Sequence, residues 1–316
     1  MPSSTPSGDS PLKLSACLLL AGGLKPSPLV AQTGGSVLDL YLRPSITVMG
    51  HWFDRFQELA AHTASVIKIH VVHGATTPPP SDAEAKRRGI DIRVEEDRQQ
   101  YRGPAGAVRD ACAGYRADET VLVAEAARYV SCDLTQMMAE HAASGAEVTV
   151  ASNPDSSPAG VFLIRCRTLQ LVPSIGFMDL KEQWLGKAVE GGINVRVHRL
   201  KDAYSYELRT REDFLAAARV VGGLVCTTSH PTKDVEQGGN SAGLVHSLDG
   251  GASLGLGAVV VDSVIMPGAQ IGDGAVVARS IVCPSGVVAP RASVVDAVVP
   301  PSVLTGVGKS KQEIRG

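Results

Sequence analysis

Apolar and polar residues follow two different rhythms along this chain, and the rhythm changes near residue 222. From residue 14 to about residue 220, short apolar runs such as ACLLLAGG, SVIKIHVVHG and ETVLVAE alternate with segments of helical spacing such as WFDRFQELAAHT. Apolar runs without internal alternation predict strands buried on both faces, as in parallel sheets covered by helices. We therefore expect an α/β domain with a mainly parallel sheet.

The second rhythm is a six-residue spacing of apolar residues separated by Gly, Ala, Ser and Pro. Six-residue steps link Val259, Ile265, Ile271 and Val277, and after one five-residue step they link Val282, Val288 and Val294. This spacing predicts short strands that form the sides of a three-sided coil, and stacked coils bury one another's apolar sides. We expect a short left-handed parallel β-helix, since a β-sandwich would need two-residue alternation and longer strands.

Changes in composition divide the chain into five segments. The first is rich in Ser and Pro and predicts a disordered leader, and the third has the Gly, Thr, Ser and Asn content of a connector. The predicted segments are a leader at 1–12, an α/β domain at 13–221, a connector at 222–248, a β-helix at 249–308 and a tail at 309–316.

Composition excludes several classes of partner. The net charge is −2 and aromatic residues make up only 4% of the 316 residues, so we expect neither nucleic-acid nor membrane binding. No apolar run is long enough to span a bilayer, and the apolar residues after Cys17 stand on the wrong side for a lipoprotein signal. The six scattered cysteines predict buried free thiols in a cytoplasmic protein.

Four stretches together resemble the sugar-1-phosphate nucleotidyltransferases, a family with a Rossmann-like domain that is followed in some members by hexapeptide coils. The stretches are LLLAGG at the first strand, RGPAGAV at 102–108, DLTQMMAEHAASGAEVTVA, and YSYELRTREDFLAAAR at 204–219. Their order, with the coils behind them, extends the resemblance over about 14–300. It implies a transfer reaction in which a sugar-1-phosphate attacks the α-phosphate of a nucleoside triphosphate and releases pyrophosphate.

The resemblance implies a nucleotide site built from two glycine-containing stretches. Its nucleotide-binding residues are Ala21, Gly22, Gly23, Gly103, Ala105 and Gly106, and Lys25 stands where the family has a catalytic arginine. The first loop is about two residues shorter than the family's loop, and Pro26 and Pro28 bring no N–H group to a phosphate. Lys25 can supply a charge there, without the bidentate geometry of arginine.

The resemblance also implies two carboxylates that hold Mg²⁺, and these are the most altered positions. The family's first aspartate falls at Ala126–Ala127, with Glu125 nearby, and the second carboxylate aligns with Glu207. In the sugar segment at 176–188, Asp179 is a candidate sugar ligand and Lys181 a candidate catalytic cation. A surface position for Glu125 and an amphipathic helix around Lys181 are the alternatives from residue pattern alone.

Three functions follow for the whole chain. The first is a nucleotidyltransferase that uses Mg²⁺, a nucleoside triphosphate and a sugar phosphate. The second is a non-catalytic relative that binds a nucleotide sugar or regulates a partner, because losing several charged groups removes most transition-state stabilisation. A remote third is acyl transfer by the coils, which contain no histidine beyond His246. Self-association through the β-helix is a further expectation.

Overall fold

The computed structural model describes residues 14–43, 45–63, 66–97, 99–201, 203–221, 240–241, 245–247 and 251–302. The chain divides into two compact units, Met1–Val225 and Cys226–Gly316, close to the boundary that the change of rhythm predicts. The predicted leader at 1–12, most of the connector and the tail at 309–316 lie outside the described residues.

The first unit is built on a seven-stranded sheet in the order β10-β8-β9-β6-β1-β4-β5. All neighbouring pairs are parallel except the two that involve β9, so the prediction of a mainly parallel sheet is confirmed. The strands of this unit are β1 (Leu14–Leu20), β2 (Tyr41–Arg43), β3 (Ile46–Thr47), β4 (Lys68–Gly74), β5 (Ile92–Asp97), β6 (Thr120–Glu125), β7 (Arg128–Val130), β8 (Val148–Ser152), β9 (Pro158–Arg165), β10 (Val195–Arg199) and β11 (Ser205–Glu207).

Seven α-helices occur among the described residues of this unit. They are α1 (Pro28–Thr33), α2 (Val48–Thr63), α3 (Ala83–Arg88), α4 (Gly103–Ala111), α5 (Leu134–Ala143), α6 (Leu185–Glu190) and α7 (Arg211–Val221). Three-residue or six-residue 3₁₀ turns stand at Val37–Asp39, Gln100–Arg102 and Cys166–Leu171, and a π-helical turn at Leu180–Trp184 leads into α6.

The core explains why the central strands carry unbroken apolar runs. On one side of the sheet, Leu18 of β1 and Val123 of β6 are fully buried with Phe162 of β9. Ala105 and Val108 of α4 and Trp184 of the π-helical turn belong to the same cluster. Since β1 lies between β4 and β6, its C-terminal end emerges at the middle of the sheet edge, where parallel-sheet proteins place their ligands.

A separate two-stranded sheet joins two distant parts of the first unit. β7 and β11 are antiparallel, and their register places Arg128 opposite Glu207 and Tyr129 opposite Tyr206. Directly paired residues project to the same face of a sheet. This register therefore brings the segment that follows β6 to the segment that precedes α7.

The second unit consists of three parallel sheets that successive strands visit in turn. The sheets are β12-β15-β18-β21, β13-β16-β19-β22 and β14-β17-β20. The strands are β12 (Asn240–Ser241), β13 (Val245–Ser247), β14 (Ser253–Leu254), β15 (Val259–Val261), β16 (Ser263–Ile265), β17 (Gln270–Ile271), β18 (Val276–Ala278), β19 (Ile281–Val282), β20 (Val287–Val288), β21 (Ser293–Val295) and β22 (Val298–Val299). This arrangement is consistent with the predicted coils.

The strand pairing of this unit repeats every 17 residues, which corrects one predicted inward position. Val260, at 1% exposure, is buried and the predicted Val259 is only partly buried. Each 17-residue repeat therefore has one five-residue step between buried residues, which ends at Ile265 in one repeat and at Val282 in the next. Residues at the corner of this side, 17 positions apart, adopt positive φ; they are Asp262, Arg279 and Asp296.

The described cysteines match the expectation from composition. Cys17, Cys112, Cys132, Cys166 and Cys283 are free and buried, and Cys226 lies outside the described residues. Burial raises the pKa of the Cys132 thiol to about 11, so this thiol is protonated at neutral pH. Among the described residues, no helix has the length and apolar character needed to cross a membrane.

Candidate functional site

The glycine loop after β1 packs against the end of β4. The Ala21 N–H donates to the Val72 carbonyl at 2.8 Å, which extends the pairing of the two strands past Leu20. A Cβ atom at Gly22 would overlap the backbone nitrogen of Gly74 and lie 2.9 Å from its Cα. Gly22 is therefore required by a close backbone approach, the condition that a phosphate-binding loop also needs.

A cavity of about 690 Å³ opens beside this loop. Eight of the predicted site residues line it: Ala21, Gly22, Gly23, Lys25, Gly103, Glu125, Asp179 and Lys181. Phe162 and Phe177 contribute aromatic walls, and Arg209 adds a second exposed cation. The structure thus brings most of the predicted nucleotide and sugar residues into one cavity.

Three predicted residues do not line the cavity. Ala105 is fully buried in the core, and Gly106 faces the side chain of Arg102, where a Cβ would lie 2.5 Å from the Arg102 Cβ. These two small residues serve the packing of α4, so their prediction as nucleotide ligands is not matched by their placement. Glu207 stands outside the lining but contacts a residue that reaches Glu125.

The first turn of α1 does not present free N–H groups to a ligand. The Leu29 N–H donates to the Arg209 carbonyl at 2.9 Å, and the Val30 N–H donates to Ser27 Oγ at 3.3 Å. Pro28, the first residue of this six-residue helix, has no N–H group. Neither Leu29 nor Val30 therefore has an N–H group free to bind an anion.

Arg128 binds both of the predicted metal carboxylates. Its Nε donates to Glu125 Oε2 at 2.7 Å, and its Nη2 donates to Glu207 Oε1 at 2.7 Å. Nη1 donates to Ser205 Oγ at 3.4 Å. The Arg128 side chain is only 4% exposed, whereas those of Glu125 and Glu207 are 31% and 47% exposed. The guanidinium is the buried centre of this cluster.

Lys181 completes the cluster at the other oxygen of Glu125, since its Nζ contacts Glu125 Oε1. Burial of Glu125 alone would raise the pKa of its carboxyl, but Arg128 and Lys181 outweigh this effect and lower the pKa. Glu125 is therefore ionised at neutral pH with both oxygens occupied. Glu125 is thus a partly exposed carboxylate at the end of β6 that is held by two protein cations.

Asp179 holds the start of the turn that carries Lys181. Its Oδ1 accepts hydrogen bonds from the Lys181 N–H at 2.7 Å and the Glu182 N–H at 2.8 Å. Leu180 and Trp184 are buried, as the amphipathic alternative predicts. The apolar side of this segment therefore packs inward, while Asp179 and Lys181 line the cavity.

The residues present do not fit Mg²⁺. Magnesium needs carboxylate oxygens free to coordinate it, and here Glu125 uses both oxygens and Glu207 uses one on protein cations. In the part of the chain that the structure describes, no group of three or more His, Cys, Asp or Glu side chains is placed to hold a metal ion.

Two further residues belong to this region and were not expected from the sequence. Arg128 could have been suspected only from its pairing with Glu207, which lies 79 residues away. His73 lines the cavity, and its Nδ1 stands 3.2 Å from the carbonyls of Gly74 and Thr77. Because both neighbours are acceptors, Nδ1 carries a proton that it can donate to them.

Comparison with known proteins supports the fold and gives no evidence about the activity. Neither a protein-family model nor a curated protein matches this sequence. Solved structures do match; one is described as a glucose-1-phosphate thymidylyltransferase from Bacillus anthracis in complex with a sucrose. It shares 10% sequence identity at a TM-score of 0.53, covering 65% of this chain and 94% of that chain. This similarity shows that the chain has a nucleotidyltransferase fold.

Proposed function

We propose that this chain binds a nucleotide sugar or nucleotide in the cavity beside Gly22 and does not transfer a nucleotidyl group. The observation that carries the proposal is the contact of Arg128 with both Glu125 and Glu207. These glutamates are the positions at which the family resemblance implies metal-binding carboxylates. Arg128 satisfies them within the protein, so the cavity keeps its shape without the ion that transfer would use.

Binding is supported by the size and composition of the cavity. Small-molecule sites usually enclose about 300–1,000 Å³ with apolar walls and a few polar groups, and this cavity falls in that range. Lys25 and Arg209 are exposed cations on its wall, and no ion pair is formed by either within the described residues. Together they can balance the charge of a diphosphate.

Nucleotidyl transfer is disfavoured because several cations and N–H donors beside the cavity are already paired within the protein. Phosphoryl chemistry depends on cations and donors placed where charge develops, and each such group commonly contributes about 2.7–4 kcal/mol to lowering the barrier. Lys181 is engaged by Glu125, and the N–H groups of Leu29 and Val30 are used inside the protein. Of the Lys and Arg side chains that line the cavity among the described residues, Lys25 and Arg209 form no ion pair and are suited to holding an anion.

The test combines binding with turnover on the same preparation. UDP-glucose, dTDP-glucose, ADP-glucose and GDP-mannose are titrated by calorimetry, and pyrophosphate release is measured with the matching nucleoside triphosphates and sugar-1-phosphates in Mg²⁺. We expect at least one nucleotide sugar to bind and no pair to release pyrophosphate. Release that disappears in Glu207→Ala would instead establish the transferase. Absence of binding by every nucleotide sugar and triphosphate would reject the proposal altogether.

For the second unit, we propose a left-handed parallel β-helix through which the chain self-associates. The 17-residue register of three parallel sheets supports the β-helix. His246 lies in β13 and no histidine follows it in the sequence, so no coil strand after β13 has a histidine to serve as the general base of acyl transfer. Sedimentation of the full chain over a range of concentrations tests the association.

A further inference from the structure

We infer that Arg128 is a permanent, protein-borne replacement for a divalent cation. The part of this inference that concerns ligand binding rests on the proposed function. The part that concerns metal binding can be tested without any nucleotide. Four features of the cluster around Arg128 carry it: backbone placement, space, charge and solvent exposure.

The backbone fixes Arg128 between the two glutamates. The Ala126 N–H donates to the Leu20 carbonyl at 3.0 Å, and Trp52 Nε1 donates to the Ala126 carbonyl at 3.1 Å. The Leu208 N–H donates to the Ala127 carbonyl at 2.9 Å. These bonds turn the chain immediately after Glu125, so that Arg128, three residues further on, points back toward it. The antiparallel register then places Glu207 on the opposite strand.

Space for the guanidinium is created by Gly160 on β9. A Cβ atom at Gly160 would overlap Arg128 Nε and lie 2.9 Å from Glu125 Oε2. The backbone of Gly160 also has φ = +71°, a conformation that other residues rarely adopt. Any side chain here would displace the guanidinium. The site is therefore shaped for an arginine in contact with both carboxylates.

Charge in the cluster is already balanced. Glu125 and Glu207 contribute two negative charges, and Arg128 and Lys181 contribute two positive charges. A divalent cation entering this group would meet an arginine that cannot lose its proton at any physiological pH. Removing Arg128 would leave two carboxylates near each other with one ammonium group, a set of oxygen ligands that a hard divalent cation prefers.

Burial separates Arg128 from the other cations of the cavity. Its side chain is 4% exposed, whereas Lys181 is 33% exposed and Lys25 and Arg209 lie at the surface. Unlike a bound metal ion, the guanidinium is covalently part of the chain and is held in place by charge-assisted hydrogen bonds. Chelators and changes in metal concentration would therefore leave the electrostatics of this site unchanged.

The experiment titrates MnCl₂ into the full chain and into variants at Arg128. We expect no binding to the wild type and binding of one Mn²⁺ to Arg128→Ala, together with a rise in its melting temperature on Mn²⁺ addition. The matched control Arg128→Ala/Glu207→Gln should lower this affinity by about tenfold or more, since it removes one ligand. Arg128→Met, which retains apolar packing, serves if the alanine variant does not fold.

Two results would overturn the inference. One is Mn²⁺ binding by the wild type that is lost in Glu207→Gln, because the glutamates would then accept a metal beside Arg128. The other is a folded Arg128→Ala or Arg128→Met chain that binds no Mn²⁺.

A second experiment compares the affinity of the wild type for a nucleotide sugar in EDTA and in MgCl₂. Equal affinities are expected, and an affinity that falls more than about tenfold in EDTA would contradict the inference. A wild-type chain that binds no nucleotide sugar in either buffer rejects the proposed function instead, while the Mn²⁺ titrations still decide the role of Arg128.

Discussion

Gly160 leaves the space that the Arg128 guanidinium fills, because a Cβ at Gly160 would overlap Arg128 Nε. We expect Gly160→Ala to destabilise the chain in two ways, through its positive φ and through displacement of Arg128 from its glutamates. The first effect costs about 1–2 kcal/mol. The second adds about 1–3 kcal/mol, less than for a fully buried ion pair, since the glutamates are partly exposed. Urea unfolding measures the sum.

Gly192→Ala is the matched control for that substitution. Gly192 has φ = +75°, close to the value at Gly160, but no atom lies within 4 Å of the position where its Cβ would stand. It should therefore show only the conformational cost of about 1–2 kcal/mol. Equal losses of stability in the two variants would mean that Arg128 tolerates the added methyl group.

Alanine substitutions at the two neighbouring glycines of the first loop should affect ligand binding to different extents. A Cβ at Gly22 would overlap the backbone of Gly74, whereas a Cβ at Gly23 would meet the Lys25 carbonyl at 3.6 Å, an ordinary contact. Gly22→Ala must move the loop, so we expect nucleotide-sugar affinity to fall by about tenfold or more. Gly23→Ala should bind nearly as the wild type does. Calorimetry on both variants tests this, and a reversed order would argue against the described loop.

Lys25 and Arg209 should each contribute to the binding of a diphosphate. Charged hydrogen bonds at an exposed site contribute about 1 kcal/mol, so we expect Lys25→Ala and Arg209→Ala each to weaken binding about fivefold. Added salt should reduce the difference from wild type, because exposed charges are screened. Lys187→Ala removes an exposed lysine that does not line the cavity and should have no effect. Unchanged affinity in both cavity variants would place the phosphates elsewhere.

His51 makes the stability of the first unit sensitive to acid. Its desolvation by burial, with a smaller contribution from Arg55, lowers the pKa to about 4, and its Nε2 accepts a hydrogen bond from the Val130 N–H at 3.3 Å. The folded state therefore binds a proton less readily than the unfolded state, whose pKa is near 6.5. The stability that neutral His51 contributes is fully present above pH 6.5 and is lost as the pH falls toward 4.

The loss from this group is at most about 3 kcal/mol. Desolvation also lowers the pKa of His141 to about 4, so His141 acts in the same direction. In His51→Gln, a neutral side chain retains an acceptor for Val130, and stability between pH 6.5 and 4 should fall less steeply than in the wild type. If urea unfolding at several pH values shows that the free energy of unfolding falls equally steeply in the variant and the wild type, the acid sensitivity belongs to other groups.

Within the second unit, Val260 and Val259 are neighbours with different surroundings. Val260 is 1% exposed inside the coil, and Val259 is partly exposed on its side. Val260→Ala should lower the free energy of unfolding by about 2 kcal/mol and Val259→Ala by less than about 1 kcal/mol. A larger effect at Val259 would restore the six-residue step and contradict the observed register.

Local patterns made the strands and the general architecture predictable. Apolar runs at Leu14–Leu20 and Thr120–Glu125 are buried along nearly their whole length, as a covered parallel sheet requires. The glycines of the first loop were also placed correctly at a strand end. These features depend on residues close together in sequence, where spacing and conformational preference carry the information.

The role of Arg128 could not be predicted in this way. It depends on the register of β7 against β11 and on the glycine of β9, and Arg128 and Glu207 are 79 residues apart. The inward residue of the coil was missed for a different reason. Three consecutive valines, Val259–Val261, make the apolar spacing ambiguous by one residue, and only the corner at Asp262 decides which valine turns inward.

The 17-residue register of the second unit has a consequence for how its length can change. Val259, Val276 and Ser293 occupy equivalent places in successive coils, so loss or duplication of one whole coil keeps every remaining inward residue inward. A change within the strands by a number of residues that is not a multiple of 17 would turn apolar side chains to the surface. In genetic terms, the described strands of this unit can be gained or lost in units of one coil.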